Sequence, residues 1–116
     1  MRSIIALALC AIFAVVTSVG AQEPAKVGGT YAVHGTNAGG SKYTGTVVIS
    51  PTGKRFKFNW LLSSGETYTG VGTMTDTTLV VDWGHKYPVI YEVGPDGVLH
   101  GKWDNARATE TLIPKP

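Results

Sequence analysis

An antiparallel all-β fold is expected of this chain, an up-and-down meander of about eight short strands closing into a small barrel. From Thr30 onward apolar and polar residues alternate with period two, and no helical period is visible. Clusters that favour turns interrupt the alternation at short intervals, at Asn37-Ala38-Gly39-Gly40, Pro51-Thr52-Gly53-Lys54, Ser63-Ser64-Gly65 and Gly94-Pro95-Asp96-Gly97. The phrase G-x-x-Y-T-G occurs at 40–45 and again at 65–70, with a weaker echo at 96–101. A turn followed by a strand, repeated, is the unit of a meander.

The strands are read in order. Thr30 to Thr36 sets Tyr31 and Val33 on one face and His34 on the other. Lys42 to Ser50 puts Tyr43, Gly45, Val47 and Ile49 together. Arg55 to Leu62 has the clearest facing, with Phe56, Phe58, Trp60 and Leu62 opposite Arg55, Lys57 and Asn59. Thr67 to Thr75 aligns Tyr68, Gly70, Gly72 and Met74, and Thr78 to Trp83 aligns Leu79, Val81 and Trp83 against an outward Asp82. Pro88 to Val93 carries Glu92 as its polar member. Val98 to Trp103 sets Leu99, Gly101 and Trp103 against His100 and Lys102, and Ala108 to Ile113 completes the set. One dry face and one wet face is the mark of antiparallel sheet. Two facing sheets would give the same pattern, so a sandwich is the alternative. Gly45, Gly70 and Gly101 fall on the inward face, where Trp60, Trp83 and Trp103 are expected to lie across them and let the sheet curl.

The N-terminus reads as an export signal. Met1-Arg2 is followed by the apolar run Ile4 to Val16 and the small-residue site Val19-Gly20-Ala21, so cleavage is expected after Ala21. The division is a signal peptide at 1–21, a flexible segment at 22–29 and one domain at 30–116, with a periplasmic or secreted destination. The single cysteine, Cys10, lies in the leader, so the domain relies on its core and not on disulfides. Ten basic residues face eight acidic ones. This near balance gives no electrostatic case for a nucleic-acid partner or an anionic membrane surface. The one basic cluster, Lys54-Arg55-Phe56-Lys57, reads as a solvated strand face.

No catalytic constellation is legible. Ser41, Ser63 and Ser64 sit in turns and no nucleophile elbow is present. His34, His85 and His100 fall on separate elements without metal-ligand spacing, so neither metal nor cofactor is expected. Asp82 and Glu92 read as exposed. The aromatic set remains, and near the open end of a small barrel an aromatic can floor a ligand site. Trp83 ends its strand beside Gly84-His85-Lys86-Tyr87, which makes Trp83, His85 and Tyr87 the candidate ligand-binding residues.

The stretch from Tyr31 to Gly45 resembles a group of small secreted bacterial proteins with the pattern Y-x-V-x-G-T-N-x-x-G-S-x-Y-x-G, some labelled fibronectin-binding. The likeness runs on through Tyr68-Thr69-Gly70-Val71-Gly72, Val89-Ile90-Tyr91, Gly94 to Trp103 and Thr109-Glu110-Thr111-Leu112. It implies an exported binding protein and carries over no functional residues. G-x-x-Y-T-G also resembles part of a MORN repeat. The Asp96-Gly97-Val98-Leu99-His100-Gly101-Lys102-Trp103 ending is similar to that of small barrel inhibitors of bacterial metalloproteases, whose usual cysteine pair this chain lacks. The expected function is an exported, non-enzymatic module that binds a protein or matrix partner. A ligand-binding barrel and a barrel protease inhibitor are the alternatives.

Overall fold

The computed structural model describes residues 26–116. The expected leader at 1–21 and residues 22–25 lie outside the described residues. Eight strands follow one another: β1 (Gly29–Thr36), β2 (Lys42–Thr52), β3 (Arg55–Leu62), β4 (Thr67–Thr75), β5 (Thr78–Asp82), β6 (Val89–Val93), β7 (Leu99–Trp103) and β8 (Ala108–Pro114). Each pairs antiparallel with the next, and β1 pairs with β8 from Tyr31↔Pro114 to Thr36↔Thr109. The sheet therefore closes on itself. This barrel has no free edge, and the sandwich alternative falls with that pairing.

Strand limits differ from the periodicity by a residue or two, for local reasons. β2 continues through Pro51 and Thr52 because the hairpin turns on Gly53 and Lys54, with Gly53 at φ 63°. β6 starts at Val89, since Pro88 has no N–H to give the ladder. Residues 27–29, read from the sequence as part of a flexible lead-in, belong to the barrel instead. Val27 is buried against the core, and the Gly28 amide donates to the Tyr31 hydroxyl at 2.8 Å.

Alternation delivers the interior. Tyr31, Val33, Val47, Ile49, Phe58, Leu79, Val81, Tyr91, Leu99 and Leu112 are essentially fully buried. At about 1.5–3 kcal/mol for each buried large apolar side chain, this packing outweighs anything on the outer wall. The ion pair between Arg107 and Asp104 is exposed, and such pairs contribute under about 1 kcal/mol.

The inward glycines are covered, but mostly not by tryptophan. A Cβ on Gly70 would meet Trp60 at 3.2 Å, whereas on Gly101 it would meet the Tyr91 ring at 2.6 Å, and on Gly45 the Leu61 carbonyl at 2.5 Å. For Gly45 and Gly101 the crowding comes from the neighbouring strand, because Leu62 and Tyr91 are their registered partners. Trp83 and Trp103 lie past these glycines, where their strands run out at one end of the barrel.

The two ends are unlike. One carries the chain's entry, the tight β2–β3 and β4–β5 turns and the β6–β7 turn, and there Val27 is buried in the core cluster. The other carries the connections 37–41, 63–66, 83–88 and 104–107, and it stays open.

Candidate functional site

The open end holds a cavity of about 480 Å³. Glu110 and Trp60 form its floor, and Tyr43, Tyr68, Trp83 and Trp103 stand around it. Strand register explains the set. The first two G-x-x-Y-T-G phrases both enter the barrel from this end, so each places its tyrosine, Tyr43 or Tyr68, at the second position of a strand and facing inward. The weaker echo enters from the closed end, and its Leu99 joins the core. Trp83 and Trp103 arrive from the other direction, at the tops of β5 and β7.

Glu110 is the single buried charged side chain among the described residues, 6% exposed. It sits on β8 between Ala108 and Leu112, on their face. Its Oε1 accepts from the Tyr43 hydroxyl at 2.7 Å. Its Oε2 accepts from the Tyr91 hydroxyl at 2.5 Å and from Trp60 Nε1 at 3.2 Å. The Tyr43 hydroxyl in turn accepts from Trp103 Nε1 at 3.0 Å. Four aromatic side chains from four strands are thus tied to one carboxylate, directly or through Tyr43. A buried acid needs such donors, because a carboxylate stripped of water and left bare costs several kcal/mol.

Burial, and after it the adjacent Glu110 charge, push the Tyr91 and Tyr43 hydroxyls well above the ordinary tyrosine range. Both remain protonated donors. Tyr68, at the rim, is raised more simply, by partial desolvation and by Glu66, whose carboxylate accepts its hydroxyl at 3.2 Å.

The candidate residues from the sequence divide. Trp83 and His85 line the cavity, with their rings stacked at 3.9 Å between centroids. Tyr87 contributes through its backbone instead: its carbonyl accepts Trp83 Nε1 at 2.9 Å, while its ring lies under Lys86 Nζ, away from the cavity. His34 and His100 are exposed on the outer wall. Asp82 caps the Gly84 amide, and Glu92 accepts from Thr77 and Thr78 at the closed end. The acid that matters is Glu110, which the sequence reading passed over. Its signal was available, since Ala108-x-Glu110-x-Leu112 puts a carboxylate on an apolar strand face.

Around Glu110 the polar partners are phenols and indoles, and among the described residues no three His, Cys, Asp or Glu side chains converge. Compared with known proteins, the chain matches no family model and no curated protein. The cavity is therefore read from its own chemistry.

Proposed function

We propose that this protein is a non-enzymatic, small-ligand-binding barrel, exported by the leader at 1–21. One observation carries the reading. All three tryptophans of the chain line a single cavity whose floor is a buried, hydrogen-bonded carboxylate. A cavity of about 480 Å³ lies within the range of small-molecule sites, which are mostly apolar with a few placed polar groups. At the opposite end Val27 is buried in the core, which supports a cup entered from the open end.

Binding is favoured over turnover by the state of Glu110. A general acid or base must exchange its proton with a substrate, whereas both oxygens of Glu110 are engaged by protein donors. The reading as a scaffold for a protein or matrix partner draws on the outer wall, where Thr44, Thr69 and Thr73 are exposed. It leaves the buried carboxylate and its aromatic surround without a purpose.

Because every tryptophan faces the cavity, intrinsic fluorescence reports on that site alone. Titration against a library of small apolar, glycan and charged organic molecules is expected to give a saturable quench or spectral shift with some of them. The same molecule should lose its effect on Trp83→Leu. If no compound produces a saturable change in the folded protein, the ligand-binding reading is wrong.

A further inference from the structure

The indoles and phenols of the cavity wall have no polar hydrogen left to offer. Trp60 Nε1 is committed to Glu110, Trp83 Nε1 to the Tyr87 carbonyl and Trp103 Nε1 to the Tyr43 hydroxyl. The Tyr43 and Tyr68 hydroxyls are committed to Glu110 and Glu66. What these aromatic side chains leave for an occupant is their π-faces, set above the negative charge of Glu110. The rings also stand at steep angles to one another, Trp83 against Trp103 at 85°, Tyr68 against Trp83 at 71° and Tyr43 against Trp103 at 70°. Rings set this way wall a space on several sides.

Charge points in the same direction. Glu110 has neutral donors but no cation: among the described residues the ion pair present is Arg107 with Asp104, at 2.9 Å on the rim. Two basic side chains do line the cavity, Lys42 and His85, but both are exposed, His85 lies stacked on Trp83, and neither pairs with Glu110. A buried carboxylate without a counter-charge is costly, and aromatic faces carry the negative side of their quadrupole. Both features favour a positive occupant and disfavour a negative one.

We propose that the ligand is an organic ammonium ion, an alkylated amine with an apolar body. Its head would sit among the ring faces above Glu110, and its body would fill the rest of the cavity. Cation–π recognition of quaternary ammonium groups by several aromatic rings rests on the same physics. This inference depends on the ligand-binding reading and narrows it.

Three probes of one shape and three charges test it: benzyltrimethylammonium, neopentylbenzene and phenylmethanesulfonate, titrated into the full-length mature protein by tryptophan fluorescence and calorimetry. The cation is expected to bind at least about ten-fold tighter than its neutral isostere, with the sulfonate weakest. Glu110→Gln, if folded by circular dichroism, should lose most of that preference while still binding the neutral probe. Should it fail to fold, the wild-type ranking alone decides. Neutral and cationic probes binding equally, or the sulfonate binding best, would overturn the ammonium assignment and leave a ligand-binding barrel standing. Binding by none of the three would overturn the assignment, and with a blank library screen would remove the ligand-binding reading as well.

Discussion

The Tyr43 hydroxyl donates to Glu110 Oε1 at 2.7 Å across a sequence separation of 67 residues. Its counterpart in the second copy of the phrase, Tyr68, donates to Glu66 only two residues away, at 3.2 Å and in the open. The repeat sets the same backbone path twice. Its two tyrosines then take different chemical work, because only Tyr43 comes within reach of β8.

That asymmetry is measurable. Tyr43→Phe removes one donor from Glu110 and leaves Trp103 Nε1 without its acceptor, so it is expected to cost about 1–3 kcal/mol. Tyr68→Phe gives up an exposed bond and should stay within about 0.5 kcal/mol of wild type. Urea melts of the two variants provide the comparison, and equal losses would contradict the assignment of Glu110 as the structural anchor.

Crowding at glycine separates two kinds of position. At Gly45 an added Cβ would meet the Leu61 carbonyl at 2.5 Å and the Leu62 Cα at 2.8 Å, both backbone atoms that cannot step aside. Gly45→Ala should therefore destabilise by about 1–3 kcal/mol. At Gly39 nothing lies within 4 Å. Gly39→Ala should be neutral or gain up to about 1 kcal/mol through the unfolded chain. Thermal melts that rank the two the other way would refute the packing argument.

Alkaline pH should unfold the protein early. Tyr91 is fully buried with its pKa raised well above the ordinary 10.0, so above pH 10 the unfolded chain releases a proton that the folded one keeps. Stability is then complete below pH 10 and falls as pH rises, by about 1.4 kcal/mol per pH unit from Tyr91, with Tyr43 adding to the slope. Denaturant melts between pH 8 and about 12 check this. Tyr91→Phe should be less stable at neutral pH and show a shallower alkaline decline; an unchanged slope would rule out Tyr91 as its source.

The β7–β8 connection holds Asp104, Asn105 and Ala106 in succession at φ 51°, 57° and 68°. Alanine has no side-chain hydrogen bond to offset the left-handed conformation, which costs about 1–2 kcal/mol in L-residues. Glycine gives back about 0.5–1 kcal/mol of this in chain entropy. Ala106→Gly is expected to stabilise by about 0.5 kcal/mol, read as a small rise in Tm. A lower Tm would mean that the rim depends on the alanine methyl.

Much of the architecture is legible in the sequence. Phe58 and Trp60 alternating with Lys57 and Asn59, and turns such as Gly53-Lys54, are local signals, and period two assigns faces without knowledge of neighbours. The candidate site was half legible on the same terms. Trp83, His85 and Tyr87 stand out at a strand end, and of these Trp83 and His85 line the cavity while Tyr87 lends a carbonyl. Glu110 was visible only as a carboxylate on an apolar face.

Closure depended on β1 meeting β8, whose hydrogen bonds join Val33 to the level of Leu112 across nearly the whole chain. No local period encodes a pairing at that separation, since barrel and sandwich bury the same face. The gathering of Tyr43, Trp60, Tyr91 and Trp103 around Glu110 depended on it too, because they come from β2, β3, β6 and β7. Alternation states which way a side chain points. Which others it meets there is set by the register and curvature of the closed sheet, and in this protein that meeting creates the site.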